Sequence, residues 1–257
     1  MTKVNLNADM AEGFGAYDIG DDMAMLKIVG SANVACGFHG GDANVMDRVV
    51  GTAKAEGVSI GAHPGFNDLW GFGRRRISMS PREVEAMIAY QIGALQAMAA
   101  LHGMTVTHMK PHGALNNMAS EDRDLAEAIV RATKAVDPAI ILLATTGSEL
   151  MKAGATLDVP TASEVFADRT YDAKGSLTSR KRDDAMIRDP KQAVEHVLRM
   201  VETGKVRSTD GVEVPVVVHS ICIHGDEPTG PAVAGAVRAA LEAKGIEVVT
   251  LPEVPLN

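Results

Sequence analysis

Short apolar, β-branched stretches alternate with longer helical patterns from one end of the chain to the other. Residues 4–8, 32–35, 58–61, 106–109, 140–143, 161–165, 216–221 and 247–251 read as strands. The segments between them have helix length, and this alternation signals βαβ units around a parallel sheet. The clearest helix covers 80–102: Ser80 caps it, Pro81 suits its first position, and Glu83 completes a capping box. Val84, Ile88, Ile92, Leu95 and Ala99 then give it one buried stripe. A second helix opens at Asp189-Pro190 and turns Ala193, Val194, Val197, Leu198 and Val201 inward. A third follows Ser120, and a fourth covers 231–244 with Gly245 as its C′ residue. Residues 206–214, centred on Asp210-Gly211, read as a small hairpin over the barrel end. No linker, low-complexity run or repeat divides residues 1–257, so one domain is expected. Seven or eight parallel strands without a long crossover fit a single (β/α) barrel better than an open doubly wound sheet. The 257 residues match the ~250 usual for such barrels.

Composition mainly excludes. A net charge of −8 argues against a nucleic-acid or anionic-membrane surface. The first residues lack a basic start and apolar core, no run of 18 apolar residues occurs, and a cytoplasmic setting is expected. Cys36 and Cys222 form no CxxC and read as buried, reduced thiols. Arg74-Arg75-Arg76 and the looser Arg180-Lys181-Arg182 read as solvated surface, and Trp70 as a packed loop anchor.

Chemistry collects just after the strands, where parallel barrels build their active face. Asp9 and Glu12 follow the first strand, His39 and Asp42 the second, His63 the third, and Lys110 and His112 the fourth. Glu164, Asp168 and Arg169 close the sixth, and His224 and Asp226 the seventh. Four of the eight histidines sit at four different strand ends, whereas His102, His108, His196 and His219 read as structural or surface residues. Asp9, His39 and His63, with His224 or Asp226, form a mixed N/O donor set for a divalent metal, and equally a set of general acids and bases. The chain has no GxxxxGK[ST], GxSxG or HExxH, and GFHGG and GFGRR lack the strand–helix context of a dinucleotide site.

NLNADMAEGFG, SANVACGFHGGD, GAHPGFNDLWGFGRR, KPHGALNN, EVFADRTY and CIHGDEP, in that order, resemble the LamB/YcsF family over residues 4–250. The resemblance implies a deacetylase-like barrel acting as one component of an ATP-dependent 5-oxoprolinase. It implies ATP as co-substrate and separate B and C subunits as partners; self-association is also compatible. On this reading Lys110 and Arg169 hold anionic groups, and Asp9, with Glu12 as its substitute, orients or deprotonates water. His39, His63, His112 and His224 carry protons or stabilise an oxyanion, and Asp226 fixes the His224 region. Asn7, Asp42, Glu164 and Asp168 join Lys110 and Arg169 as substrate-contact candidates. Two departures bear on substrate fit: Asn116 stands where an aromatic residue is expected, and His224-Gly225-Asp226 continues as Glu227-Pro228 where a small or polar residue is usual. Two other readings remain open: a stand-alone metal-dependent amide hydrolase, and a non-catalytic substrate-binding subunit.

Overall fold

A computed structural model of the chain describes residues 2–226 and 228–256. Its first half runs β1 Lys3–Met10, α1 Asp22–Leu26, β2 Ser31–Ala35, α2 Ala43–Glu56, β3 Ser59–His63, α3 Pro81–Leu101, β4 Val106–Met109 and α4 Gly113–Glu121. There follow α5 Arg123–Val136, β5 Ile141–Thr145, α6 Glu149–Thr156, β6 Thr161–Phe166, α7 Pro190–Thr203 and β7 Lys205–Arg207. The chain ends with β8 Glu213–Pro215, β9 Ser220–Cys222, α8 Gly230–Ala243 and β10 Glu247–Val249.

β1 to β6 and then β9 pair in parallel, and β9 closes the ring onto β1 from Asn5↔Ser220 to Asn7↔Cys222. The fold is therefore a closed seven-stranded parallel barrel, with β10 laid as an eighth strand along Lys3–Asn5 of β1. β7 and β8 form the expected antiparallel hairpin around Asp210-Gly211. The capping box of α3 is present: the Ser80 amide donates to Glu83 Oε2 at 2.7 Å. By length and composition α3 could cross a membrane, yet its predicted stripe is buried and it packs on α5.

Two expectations shift. The strand predicted at 216–221 joins the ladder only from Ser220, because the Val216 amide donates to Gly204 at the end of α7 and that of His219 to Ser163. The helix expected after Ser120 starts at Arg123, where Asp122 accepts the Leu125 amide and supplies a stronger cap. The short α4 precedes it, entered through Gly113 at φ +54°.

Side chains alternate along β1. Leu6, Ala8 and Met10 join the apolar core, while Asn5, Asn7 and Asp9 meet polar partners from other barrel strands. Asn5 donates to Ser31 Oγ and Asn7 to Ser220 Oγ, both at 2.8 Å. Asn33 donates to Asn7 Oδ1 at 2.7 Å and Asp9 Oδ1 at 2.8 Å, and receives the His108 Nε2 proton at 3.0 Å. This buried column carries rigidity up to Asp9, since stranding any one member would cost about 1–3 kcal/mol.

Burial, then the neighbouring Lys110 and His63, push His108 down to about 3, so it is neutral in the fold. Below its ordinary value of 6.5 the unfolded chain takes up a proton that the folded chain refuses. The His108 contribution is therefore complete above that pH and lost as pH falls, by about 1.4 kcal/mol per pH unit. Urea denaturation at pH 6 and pH 4 should show this loss, and His108→Gln should lower the slope by that amount.

Candidate active site

The C-terminal strand ends gather most of the predicted residues around a cavity of about 70 Å³. Asp9, His63, Lys110, Arg169 and His224 reach it from five strands, and Glu12, His112 and Asp226 complete its wall. Gly73, at φ +60°, lets the 66–80 loop close over it: a Cβ there would stand 2.7 Å from His39 Cβ and 2.8 Å from the His112 ring.

Lys110 is the hub. Its Nζ donates to Asp9 Oδ1 at 2.9 Å and Cys222 Sγ at 3.1 Å, and lies 3.0 Å from Glu164 Oε1, off that atom's hydrogen-bonding direction. Burial opposes a charged amine, but Asp9, Cys222 and Glu164 outweigh it and hold Lys110 well above its ordinary value. Burial likewise opposes ionisation of Asp9, and His63 and Lys110 overcome it, keeping Asp9 well below the usual carboxylate range. Glu164 goes the other way, raised by burial despite Lys110. The cavity floor is thus an ionised Asp9 against a protonated Lys110.

His224 is held by Asp168, which accepts both its backbone amide at 2.8 Å and its Nδ1 proton at 2.9 Å. Burial would raise Asp168, but His224 lowers it through charge and hydrogen bonding, so the carboxylate stays ionised. Nε2 of His224 is left for the cavity. Ligand-capable atoms of Asp9, Cys222 and His224 lie within 4.8 Å of one another.

A second cluster holds Glu12, His39, His63 and His112, also within 4.8 Å. His63 donates Nδ1–H to Lys110 O and His112 donates Nε2–H to Phe72 O, each at 2.8 Å. With both outer protons so fixed, the inner nitrogens face each other 3.0 Å apart, and Glu12 Oε1 lies 3.2 Å from that of His112. Neutral rings would oppose two lone pairs beside a carboxylate, an arrangement that needs a shared proton or a cation. His39 stacks on His112 at 3.6 Å and meets Glu12 at 3.0 Å. Burial, then the neighbouring His112, pushes His39 down to about 3. The donor set expected from sequence is split: Asp9 and His63 meet at 3.3 Å, while His39 belongs to Glu12.

Other candidates take supporting places. Asn7 and Glu164 lie fully buried below Lys110. Asp42 does not reach the cavity; its carboxylate accepts the Asn44, Val45 and Gly15 amides and caps α2. Asp42→Ala should therefore lower stability by about 1 kcal/mol in denaturant melts while leaving turnover unchanged. Asp226 stands at the rim, paired with Arg74 at 2.6 Å and with Arg180 at 3.9 Å. Arg74 is exposed, as expected, and Arg180 half-buried, but both also line the site, a role that a run of basic residues does not disclose. Trp70 does not anchor its loop: it is 98% exposed. Both cysteines are free and buried, and burial pushes Cys36 up to about 12. The departing Asn116 lines the cavity and donates to Thr145 Oγ1 at 3.4 Å; Glu227 lies outside the described residues.

The family model described as "LamB/YcsF family" matches residues 4–255. The chain is 51% identical over 249 residues to the A subunit of 5-oxoprolinase from Rhodopseudomonas palustris (strain BisB18), covering 96% of this chain and 98% of that one. It is 50% identical over 248 residues to the corresponding 5-oxoprolinase chain of Bacillus licheniformis, with coverage of 96% and 98%. A crystal structure of a lactam utilization protein from Thermus thermophilus superposes with a TM-score of 0.92 at 45% identity, covering 97% of this chain and all of that one.

Proposed function

The chain belongs to the LamB/YcsF family, and from that premise we propose that it is the A subunit of an ATP-dependent 5-oxoprolinase. It opens the lactam of 5-oxoproline to glutamate, in a cytoplasmic complex with separate B and C subunits. The observation that carries this reading is the ionised Asp9, fixed by Lys110 and Asn33, with the Asp168-held His224 across the same small cavity.

A lactam resists water because amide resonance is lost when its carbonyl carbon becomes tetrahedral. Transfer of the ATP γ-phosphoryl group to the lactam oxygen, with ADP leaving, makes that carbon electrophilic. Asp9 then takes a proton from water as it adds. His224 Nε2 protonates the ring nitrogen as the carbon–nitrogen bond breaks, and a second water releases phosphate from the resulting acyl phosphate. Lys110 is engaged by Asp9 and Glu164, so the substrate carboxylate falls to Arg169.

Titration of 5-oxoproline into the chain, alone and in the complex, tests the pocket. Proline has the ring and carboxylate but no lactam carbonyl, and should bind at least about tenfold more weakly for want of the carbonyl hydrogen bonds. Equal affinity for both, or no binding to either preparation, would remove the lactam reading.

The facing nitrogens of His63 and His112 favour a second reading, a metal-dependent amide hydrolase. Glu12, His63 and His112, with His39 beside them, fit a divalent cation in donor type. Such an ion, when bound, would polarise a carbonyl or activate water. This reading expects stoichiometric metal in the purified chain and amide hydrolysis without ATP.

A further inference from the structure

The two basic runs noted in the sequence divide sharply in the fold. Arg75 pairs with Asp68, Arg76 with Glu121 and Arg182 with Asp184. Arg74 and Arg180 share Asp226 and, with Arg169, line both the active-site cavity and a groove of about 840 Å³ beside it. Lys174 and Lys181 extend the same wall outward, and neither has an ion pair among the described residues. Five cations thus line the groove against one lining carboxylate, Glu121, in a chain of net charge −8.

The wall is also incomplete by its own hydrogen-bonding account. Arg169 is 6% exposed, yet its guanidinium is bonded only to the carbonyls of Ala185 and Thr178 and has no ion pair among the described residues. Burial, then the charge of Arg180, lowers it to about 10. Thr178 Oγ1, buried in the same wall, has no partner among the described residues. With Arg169 given to the substrate carboxylate, the unpartnered Thr178 hydroxyl, in one lining with Arg180, Lys174 and Lys181, is what an anion in the groove would complete. Thr146, Gly147 and Ser148, just ahead of α6, also line the groove, although the Thr146 and Ser148 amides already donate to Glu164 and Thr145 carbonyls. Asp226 holds Arg74 and Arg180 at the passage between groove and cavity.

We propose that this groove binds the polyphosphate of a nucleoside triphosphate, its terminal phosphate at Arg74 and Arg180 and the remainder along Lys174 and Lys181. Five lining cations in a groove of about 840 Å³ suit a chain of phosphates better than a single one. The choice of a nucleotide rests on the ATP-dependent lactam reading; the anionic character of the ligand does not. Side-chain cations here replace the backbone cradle of a GxxxxGK[ST] loop, which the sequence lacks.

Calorimetric titration of the full chain, alone and assembled with B and C subunits, tests this with ATP, tripolyphosphate, AMP and inorganic phosphate. ATP and tripolyphosphate are expected to bind, and AMP and phosphate at least about tenfold more weakly, with ATP affinity falling as salt rises. Lys174→Ala with Lys181→Ala, both exposed, should weaken ATP at least about tenfold in whichever preparation binds it, leaving 5-oxoproline affinity and melting temperature unchanged. Unaltered ATP affinity in that double variant, or no ATP binding by either preparation, overturns the proposal. Inorganic phosphate binding as tightly as ATP overturns it as well. Each of these results leaves the lactam reading standing, because that reading is judged by 5-oxoproline and not by ATP.

Discussion

Replacing Asp9 by Asn is expected to lower turnover about a thousandfold while the protein stays folded and still joins its partners. The substitution is nearly isosteric. Asn Oδ1 can accept the Asn33 and Lys110 hydrogen bonds that Asp9 Oδ1 accepts at 2.8 Å and 2.9 Å. Its amide can donate to the inner nitrogen of His63, which now lies 3.3 Å from Asp9 Oδ2. What disappears is the negative charge that, in the proposed mechanism, accepts a proton from water. Circular dichroism and analytical size exclusion should be unchanged beside the lost rate, and near-normal turnover would take Asp9 out of the chemistry.

Lys110→Met should produce the largest loss of stability, about 3–5 kcal/mol. The methionine fills much of the lysine's volume but leaves Asp9 and Glu164, both buried, without their cation. For a chain of this size the melting temperature should fall by roughly 10 °C. Adding Glu164→Gln should restore part of the loss, since one stranded carboxylate is removed and the amide needs no counter-charge. If Glu164→Gln deepened the loss instead, the hub would not be electrostatic.

Much of this is legible in the sequence, because a parallel strand is short, apolar and bounded, and its C-terminal end carries chemistry that core packing does not require. The helix over Pro81–Leu101 announces itself through Ser80, Pro81 and Glu83. The strand after the hairpin does not, because whether Val216 or Ser220 opens the ladder depends on partners in α7 and β6 that are distant in the chain. The polar column is written as the alternation Asn5, Asn7, Asp9, but its meaning needs the closure that brings Asn33 and His108 against it. Asp42 carries a local signal, an aspartate just ahead of a helical pattern, and capping is what it does. Arg74 and Arg75 show the limit of sequence: they are adjacent and chemically alike, and a turn through Gly73 sends one to Asp226 and the other to Asp68. The histidines stand at the strand ends as expected, but their pairing into Glu12–His39, His63–His112 and Asp168–His224 is set by tertiary distances alone.

The most direct measurement is glutamate and phosphate release from 5-oxoproline plus ATP, with the B and C subunits in the presence and absence of this chain. Stoichiometric release of both products is expected only when the chain is present. Glutamate formed at the same rate without it, or none from a verified complex that contains it, would contradict the assignment of lactam opening to this barrel.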